Sequence, residues 1–459
     1  MLQASGVRRA AGAQGAGERR MPSRLAAMPD PSQRLLRHPD FLKLWTGETV
    51  SVFGDAITGL AVPIIAATAL NVTAFEFGLL NTLGMLPFIV LSLPAGVWVD
   101  RLRRRPIMIA ADLGRAVAIA TIPVAFALNA LSIWQLYAVA LAVGALTVFF
   151  DVAYQSYLPS IVDRDQLVDG NGKLQITESA AQILGPGVAG VLIGVLRAPF
   201  AMLLDAASFV WSAAFVGWIR HAEPPLERHD TATDGPKPSM RSEMAEGLRY
   251  VTGHPWLRSI AASTGLANLF GNVGNAIFVL YLVRERGMSA AAIGLAFSLG
   301  SFGVLLGALV AARLAGILGL GRTLVLASAC GGLEWLVIAL APDALVWPAV
   351  VVSVFVGGLT GVVWNVNQVS LRQAITPPRM QGRMNASMRF IVWGTIPVGA
   401  LAGGALGGVI GLHPTIWVGA IGSLVAFLPV TLSPVRALRE TPAEAEDEAA
   451  DEGLAAPGA

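Results

Sequence analysis

Charge is what this sequence has least of. Of its 459 residues only 14% are Asp, Glu, Lys or Arg, against roughly 25% in a soluble globular chain. Hydrophobic residues make up 54%, and the mean hydropathy is +0.63. A chain so poor in charge cannot keep a surface of this size in water. Cysteine is nearly missing as well, and the single Cys330 excludes an internal disulfide and any Cys-rich metal site. The five histidines, His38, His221, His229, His254 and His413, are scattered. No His, Cys or carboxylate group with metal or nucleophile spacing occurs, which speaks against an enzyme and against a bound cofactor. There is no glycine-rich phosphate loop followed by lysine, so ATP-driven transport within this chain is not expected. The net charge of +2 sits in short arginine clusters between apolar runs rather than on one soluble face, so it gives no sign of nucleic acid, and none is expected as a partner.

What is present is a series of apolar runs, each long enough to cross a hydrocarbon core of about 30 Å as a helix. Twelve are expected, near 41–69, 76–99, 106–128, 132–158, 173–196, 198–219, 257–283, 289–313, 322–341, 344–371, 384–411 and 413–433. The fold class is therefore an all-α polytopic membrane protein, because helices satisfy their own backbone groups in lipid. Before the first run lies a polar tail, 1–36, without the apolar core of a signal peptide; Met21 and Met28 are alternative starts to Met1. A polar, Pro-containing linker, 221–252, separates a first six-span unit, 37–220, from a second, 253–435. An acidic low-complexity tail, 436–459, follows. One set of helix ends carries nearly all the arginine and lysine, including Arg37, Lys43, Arg103, Arg164, Lys173, Arg220, Arg313, Arg372 and Arg436, while the opposite ends carry only Arg197, Arg284 and Arg286. That asymmetry puts both termini and the linker in the cytoplasm.

The two halves repeat. RHPDFLKL at 37–44 resembles GHPWLRSI at 253–260, and Phe53-Gly54-Asp55 returns as Phe270-Gly271-Asn272. Gly78 and Gly84 find Gly294 and Gly300, and Gly190 and Gly194 find Gly403 and Gly407, always at a shift of 213 to 217 residues. Such a register is what a parallel duplication of a six-span bundle leaves behind, and parallel repeats around a midplane site are a transporter architecture.

Between the second and third runs stands Gly96-Val-Trp-Val-Asp100-Arg101-Leu-Arg103-Arg104-Arg105. It resembles the signature loop of the major facilitator superfamily, commonly written GxxxDRxGRR, with Arg103 in place of the usual glycine. Gly185-Pro186-Gly187-Val188-Ala189-Gly190 in the fifth run is similar to the Gly-Pro element of that superfamily's exporters, with Ala189 where a second glycine is usual. GRMNASMRFIVWGTIPVGALAGG, from Gly382, is similar to the branch of drug–proton antiporters containing macrolide efflux proteins and siderophore exporters. The resemblance covers about 37–435 and implies two six-helix bundles, with the first, fourth, seventh and tenth spans lining a cavity. It also implies a latch role for Asp100 and Arg101, in a cytoplasmic cluster with Gly96, Arg104 and Arg105, and Asp151 near the end of the fourth span is a further candidate member. Gly185, Pro186 and Gly190 would serve close, sliding helix contacts.

An ionised group at the centre of a membrane helix costs about 2.5–3.5 kcal/mol, so each one asks for a reason. Glu48 and Asp55 lie seven residues apart on one face of the first span; Glu178 is in the fifth, Asp205 in the sixth, Glu334 in the ninth and Arg389 in the eleventh. Asp55, Glu48, Glu178 and Asp205 are the proton-coupling candidates, Asp55 first. The competing reading of Asp55 is a buried polar clasp, since its repeat partner is Asn272, which cannot titrate. Glu178, Asp205 and Glu334 are equally open to structural pairing, with Arg389 or a helix end. Asn268, Asn272 and Asn275 make a polar stripe in the seventh span, and Thr360, Trp364, Asn367 and Gln368 another in the tenth. With Phe270 they are the substrate-facing candidates, interhelical hydrogen bonding being the alternative.

These readings converge on a secondary active transporter in a bacterial plasma membrane, a monomer that uses protons to export an amphipathic small molecule such as a drug, a macrolide-like compound or a siderophore. An uptake permease of the same fold is the nearest alternative, and a membrane receptor or enzyme is the alternative of another class. The excess of Arg over the three lysines Lys43, Lys173 and Lys237 points to a GC-rich genome.

Overall fold

The structure is a computed structural model that describes residues 35–163, 166–221, 223 and 240–440, apart from the side chains of 93, 97, 100 and 240–244. The expectations for 1–34, 224–239 and 441–459 lie outside the described residues. Six long helices come first: α1 (Pro39–Thr68), α2 (Ala74–Arg101), α3 (Arg104–Ala127), α4 (Ile133–Ile161), α5 (Leu167–Leu196) and α6 (Ala198–Gly217). A short helix, α7 (Met240–Gly253), leads into α8 (Pro255–Arg284), α9 (Ala290–Leu318), α10 (Leu320–Gly331), α11 (Leu333–Leu340), α12 (Val346–Ile375), α13 (Pro378–Ile410), α14 (Leu412–Val425) and α15 (Leu428–Thr431). Among the described residues twelve stretches are long and apolar enough to cross a membrane, α10 with α11 making the ninth and α14 with α15 the twelfth. Several helices outrun the apolar runs that announced them: α5 begins at Leu167, α12 ends at Ile375 and α13 begins at Pro378, because their polar ends stay helical beyond the hydrocarbon.

The repeat is visible in the helix starts. α1 and α8 both open with a histidine cap followed by proline: His38 Nδ1 accepts from the Phe41 N–H at 3.2 Å, and His254 Nδ1 from the Trp256 N–H at 3.3 Å. α2 opens with a Thr73–Glu76 capping box and α9 with Ser289, whose Oγ accepts from the Ala292 N–H. The packing repeats as well. α1 lies along α6 as α8 lies along α14, and α2 lies along α4 as α9 lies along α12. Across the middle, α2 meets α13 and α9 meets α5, the same pair of contacts related by the repeat.

An even number of crossings leaves Leu35, Glu223 and Glu440 on one face of the molecule, here the terminal face, and the 69–73 and 285–289 turns on the far face. In the far half, one apolar core is shared by both bundles, joining Ile65, Phe77, Ile119 and Met202 to Ile277, Tyr281, Ile293 and Ile416. In the terminal half the core divides between the bundles. One part holds Phe41, Val99, Met108 and Tyr157 of the first bundle, and a separate one holds Leu257, Leu324, Leu371 and Met388 of the second. The bundles are thus joined at the far face and parted at the terminal face.

The far junction depends on backbone-to-backbone approach. A Cβ at Gly190 of α5 would lie 2.7 Å from the Ala290 carbonyl oxygen, and one at Gly78 of α2 would lie 2.7 Å from both the Ala400 oxygen and Gly404 Cα of α13. Arg284, at the end of α8, crosses the junction to donate to the carbonyls of Ala67 (3.1 and 3.3 Å) and Val72 (2.7 Å), and Asn81 Nδ2 donates to the Ala276 carbonyl at 3.0 Å. At the terminal face, α7 braces the second bundle: Arg383 Nη1 pairs with Glu246 at 2.6 Å, and the Tyr250 hydroxyl donates to the Ile375 carbonyl at 3.2 Å.

Candidate functional site

Where the bundles part, a cavity of about 1010 Å³ is walled by α8, α10, α11, α12 and α13, with Phe88, Ile89 and Ser92 of α2 on the opposite side. That volume suits a drug-sized ligand. The sequence expected eight substrate-facing side chains, and the structure brings four of them, Asn268, Thr360, Trp364 and Gln368, onto this wall. Trp364 is held in place by its Nε1–H, which donates to Thr264 Oγ1 at 3.2 Å. The other four are absent from it. Asn367 is buried and donates to the Ala311 carbonyl of α9 at 3.3 Å, Asn272 donates to the Asn268 carbonyl one turn back at 2.8 Å, Phe270 packs on Gly422, and Asn275 is exposed away from the cavity. A stripe three and four residues apart drifts around a helix that touches α13 and α14 as well as the cavity, so only part of it faces inward.

The wall also carries Glu334, Arg372 and Arg389. Among the described residues Arg389 pairs with no acid; its guanidinium stands 4.9 Å from the Trp393 ring centroid.

The first bundle holds a different kind of interior. Asp112 and Arg115 form a buried ion pair within α3, and the guanidinium is clasped between Phe209 and Phe150, 4.1 and 4.5 Å from their ring centroids. Around this cation gather the carboxyls of Glu48, Asp55, Asp151 and Asp205, each within its electrostatic reach, with Glu178 within reach of Glu48 and Asp151. Asp205 is fully buried and accepts from the hydroxyls of Thr58 and Ser208. Asp55 is exposed, although it lies about 24 Å along α1. Glu178 is also exposed. Asp151 lies about 15 Å inside the end of α4, within electrostatic reach of Arg115 and Glu178. The sequence reading passed over Asp112 and Arg115; their three-residue spacing inside an apolar run was the available signal.

At the signature loop, Glu223 closes α3: its carboxylate accepts from the Arg104 and Arg105 N–H groups, both at 2.8 Å. Arg105 in turn donates to the carbonyls of Val216, at 3.1 Å, and Gly217 at the end of α6. Arg101 is exposed and Gly96 faces open space; the side chain of Asp100 lies outside the described residues. In the Gly-Pro element, Pro186 lies inside α5, Gly185 approaches Ala56, and the Gly187 N–H donates to Ser298 Oγ of α9 at 2.7 Å, so this segment forms part of the far junction together with Gly190.

The profile of the transmembrane secretion effector family matches residues 33–457. The chain belongs to this family of the major facilitator superfamily. Similar proteins are the multidrug efflux pump Tap of Mycolicibacterium fortuitum, 27% identical over 86% of this chain and 96% of that one, and the enterobactin exporter EntS of Salmonella typhimurium, 26% identical over 89% and 96%. Among solved structures, a bacterial homologue of the iron transporter ferroportin in its inward-facing state superposes with a TM-score of 0.66 at 18% identity, over 87% of this chain and 98% of the other, a likeness of fold. Members of the family are transporters of small molecules, and this chain is a multi-pass membrane protein.

Proposed function

We propose that the protein exports an amphipathic small molecule from a bacterial cell by alternating access, in exchange for protons. The observation that carries this reading is the drug-sized cavity, open between two parted bundles at one face and sealed by a shared apolar core at the other. The arginine-rich terminal face is cytoplasmic, so this conformation loads from inside. The units 37–220 and 253–435 rock against each other as near-rigid bodies, in the plasma membrane, as a monomer. Kinship with exporters of drugs and of enterobactin supports the direction.

The bundles divide the work. Asp55, then Glu48, Glu178 and Asp205, take and release the proton; all four stand in spanning helices of the first bundle, where a carboxyl group asks for a functional reason. The second bundle holds the cargo, with Asn268, Trp364 and Gln368 on its wall. Asp100 and Arg101 latch the cytoplasmic side once the cavity turns outward. The test is dye or antibiotic accumulation in a strain lacking its main pumps. Lower accumulation that a protonophore reverses supports export, and Asp55→Asn should cut proton-driven export more than tenfold while sparing exchange of cargo across the membrane. Faster uptake, or purified protein in sealed liposomes that moves no solute, overturns the reading.

A further inference from the structure

The ninth span is not one helix. α10 ends at Gly331, α11 begins at Leu333, and Gly332 between them makes the joint. Glu334 therefore stands in the first turn of a new helix, where free N–H groups and the helix dipole favour a negative charge. Its carboxylate lies flat on Gly357 of α12, where any Cβ would collide with it, and it lines the cavity. Among the described residues no hydrogen bond or ion pair involves it.

The cavity's two other charges stand elsewhere along its axis. Measured by helix rise from the terminal face, Gly357 beside Glu334 is about 27 Å deep, Arg389 about 17 Å and Arg372 about 5 Å. The acid thus occupies the closed inner end and the arginines lie toward the mouth, where Arg389 is exposed to water that screens it. The same wall carries Trp335, which follows Glu334 in α11, Trp364, and Trp393, whose ring centroid lies 4.9 Å from the Arg389 guanidinium. Aromatic faces next to a lone carboxylate suit a positive charge carried on an apolar body.

We propose that the inner end of the cavity is a cation subsite, in which Glu334 pairs with the positively charged head of an amphipathic ligand while the tryptophans hold its apolar part. This rests on the export reading and names the substrate class for that same cavity. A carboxylate enclosed without a partner is costly, and a ligand cation offsets that cost where a neutral or anionic ligand cannot. The sign of the ligand's charge, more than its shape, then decides what the inner end accepts.

Tetraphenylphosphonium and tetraphenylborate have nearly the same shape and opposite charge, and equilibrium dialysis against the purified full-length protein compares them directly. The phosphonium should bind at least tenfold more tightly. Glu334→Gln should lower its affinity tenfold or more and abolish the preference, and Glu334→Asp should keep the preference. Gly357→Ala, which pushes the carboxylate aside, should weaken phosphonium binding; it decides the matter if Glu334→Gln does not elute as a single species in gel filtration. Equal affinities, a preference for the borate set by the arginines, no binding of either ion, or a preference that survives Glu334→Gln would overturn the subsite. Transport of a neutral dye in proteoliposomes separates the two claims. Transport without a charge preference removes the subsite alone, and a charge preference without transport removes the export reading alone.

Discussion

Arg115 and Asp112 pair one turn apart inside α3, with both side chains buried and the guanidinium held between the rings of Phe150 and Phe209. It is the cation that Glu48, Asp55, Asp151 and Asp205 face. Removing one partner of a buried pair strands the other, at about 3–5 kcal/mol. Arg115→Leu should therefore lower the thermal unfolding midpoint in detergent sharply, and Asp112→Asn with Arg115→Gln should recover part of the loss. A single variant as stable as the wild type would show that the pair is not a structural hub.

Arg284 ties the far face shut through carbonyls that belong to the other bundle. Arg284→Gln should loosen that closure without touching the cavity. Spin labels placed across the far face should report a longer distance population in the variant, at least several-fold more abundant than in the parent. An unchanged distance distribution would mean that the shared core alone keeps the face closed.

Arg197 joins α5 to α6 at φ 65°, ψ 148°, and its repeat counterpart, 214 residues on, is Gly411 at φ 89°, ψ 165°. That region of backbone space strains any residue with a Cβ by about 1–3 kcal/mol. Its side chain is exposed, so Arg197→Gly should raise stability by about 1 kcal/mol, measured as a higher unfolding midpoint. A fall would mean that the guanidinium holds the turn.

His254 caps α8 with an unprotonated Nδ1, and burial pushes its pKa below the ordinary value of 6.5. Because the folded state binds the proton more weakly than the unfolded chain, the cap's contribution is complete above about pH 6.5 and is lost as the pH falls below it. Between pH 7.5 and 5.5 the wild type should lose more thermal stability than His254→Gln. Parallel losses in the two proteins would count against the cap.

The fold was legible because hydrocarbon imposes one solution on each apolar run, and because landmarks such as His38 and His254 kept their register through the duplication. The break in the ninth span was not, since Gly331-Gly332 reads equally well as a tolerated pair inside a helix. The site was legible where a residue's chemistry implied its position. Trp364 and Gln368 face the cavity as their polar stripe required, whereas Phe270 and Asn367 turn toward neighbouring helices, a choice fixed by which face each neighbour covers and invisible in one sequence. Asp112 and Arg115 escaped notice because opposite charges one turn apart cancel in any local count of charge.

The apolar core that spans both bundles at the far face has a thermal consequence. Turning the cavity over must expose part of that core to water, and hydrating apolar surface raises heat capacity. The barrier to each cycle should then change with temperature, so that turnover plotted against inverse temperature bends instead of running straight, most steeply in the cold.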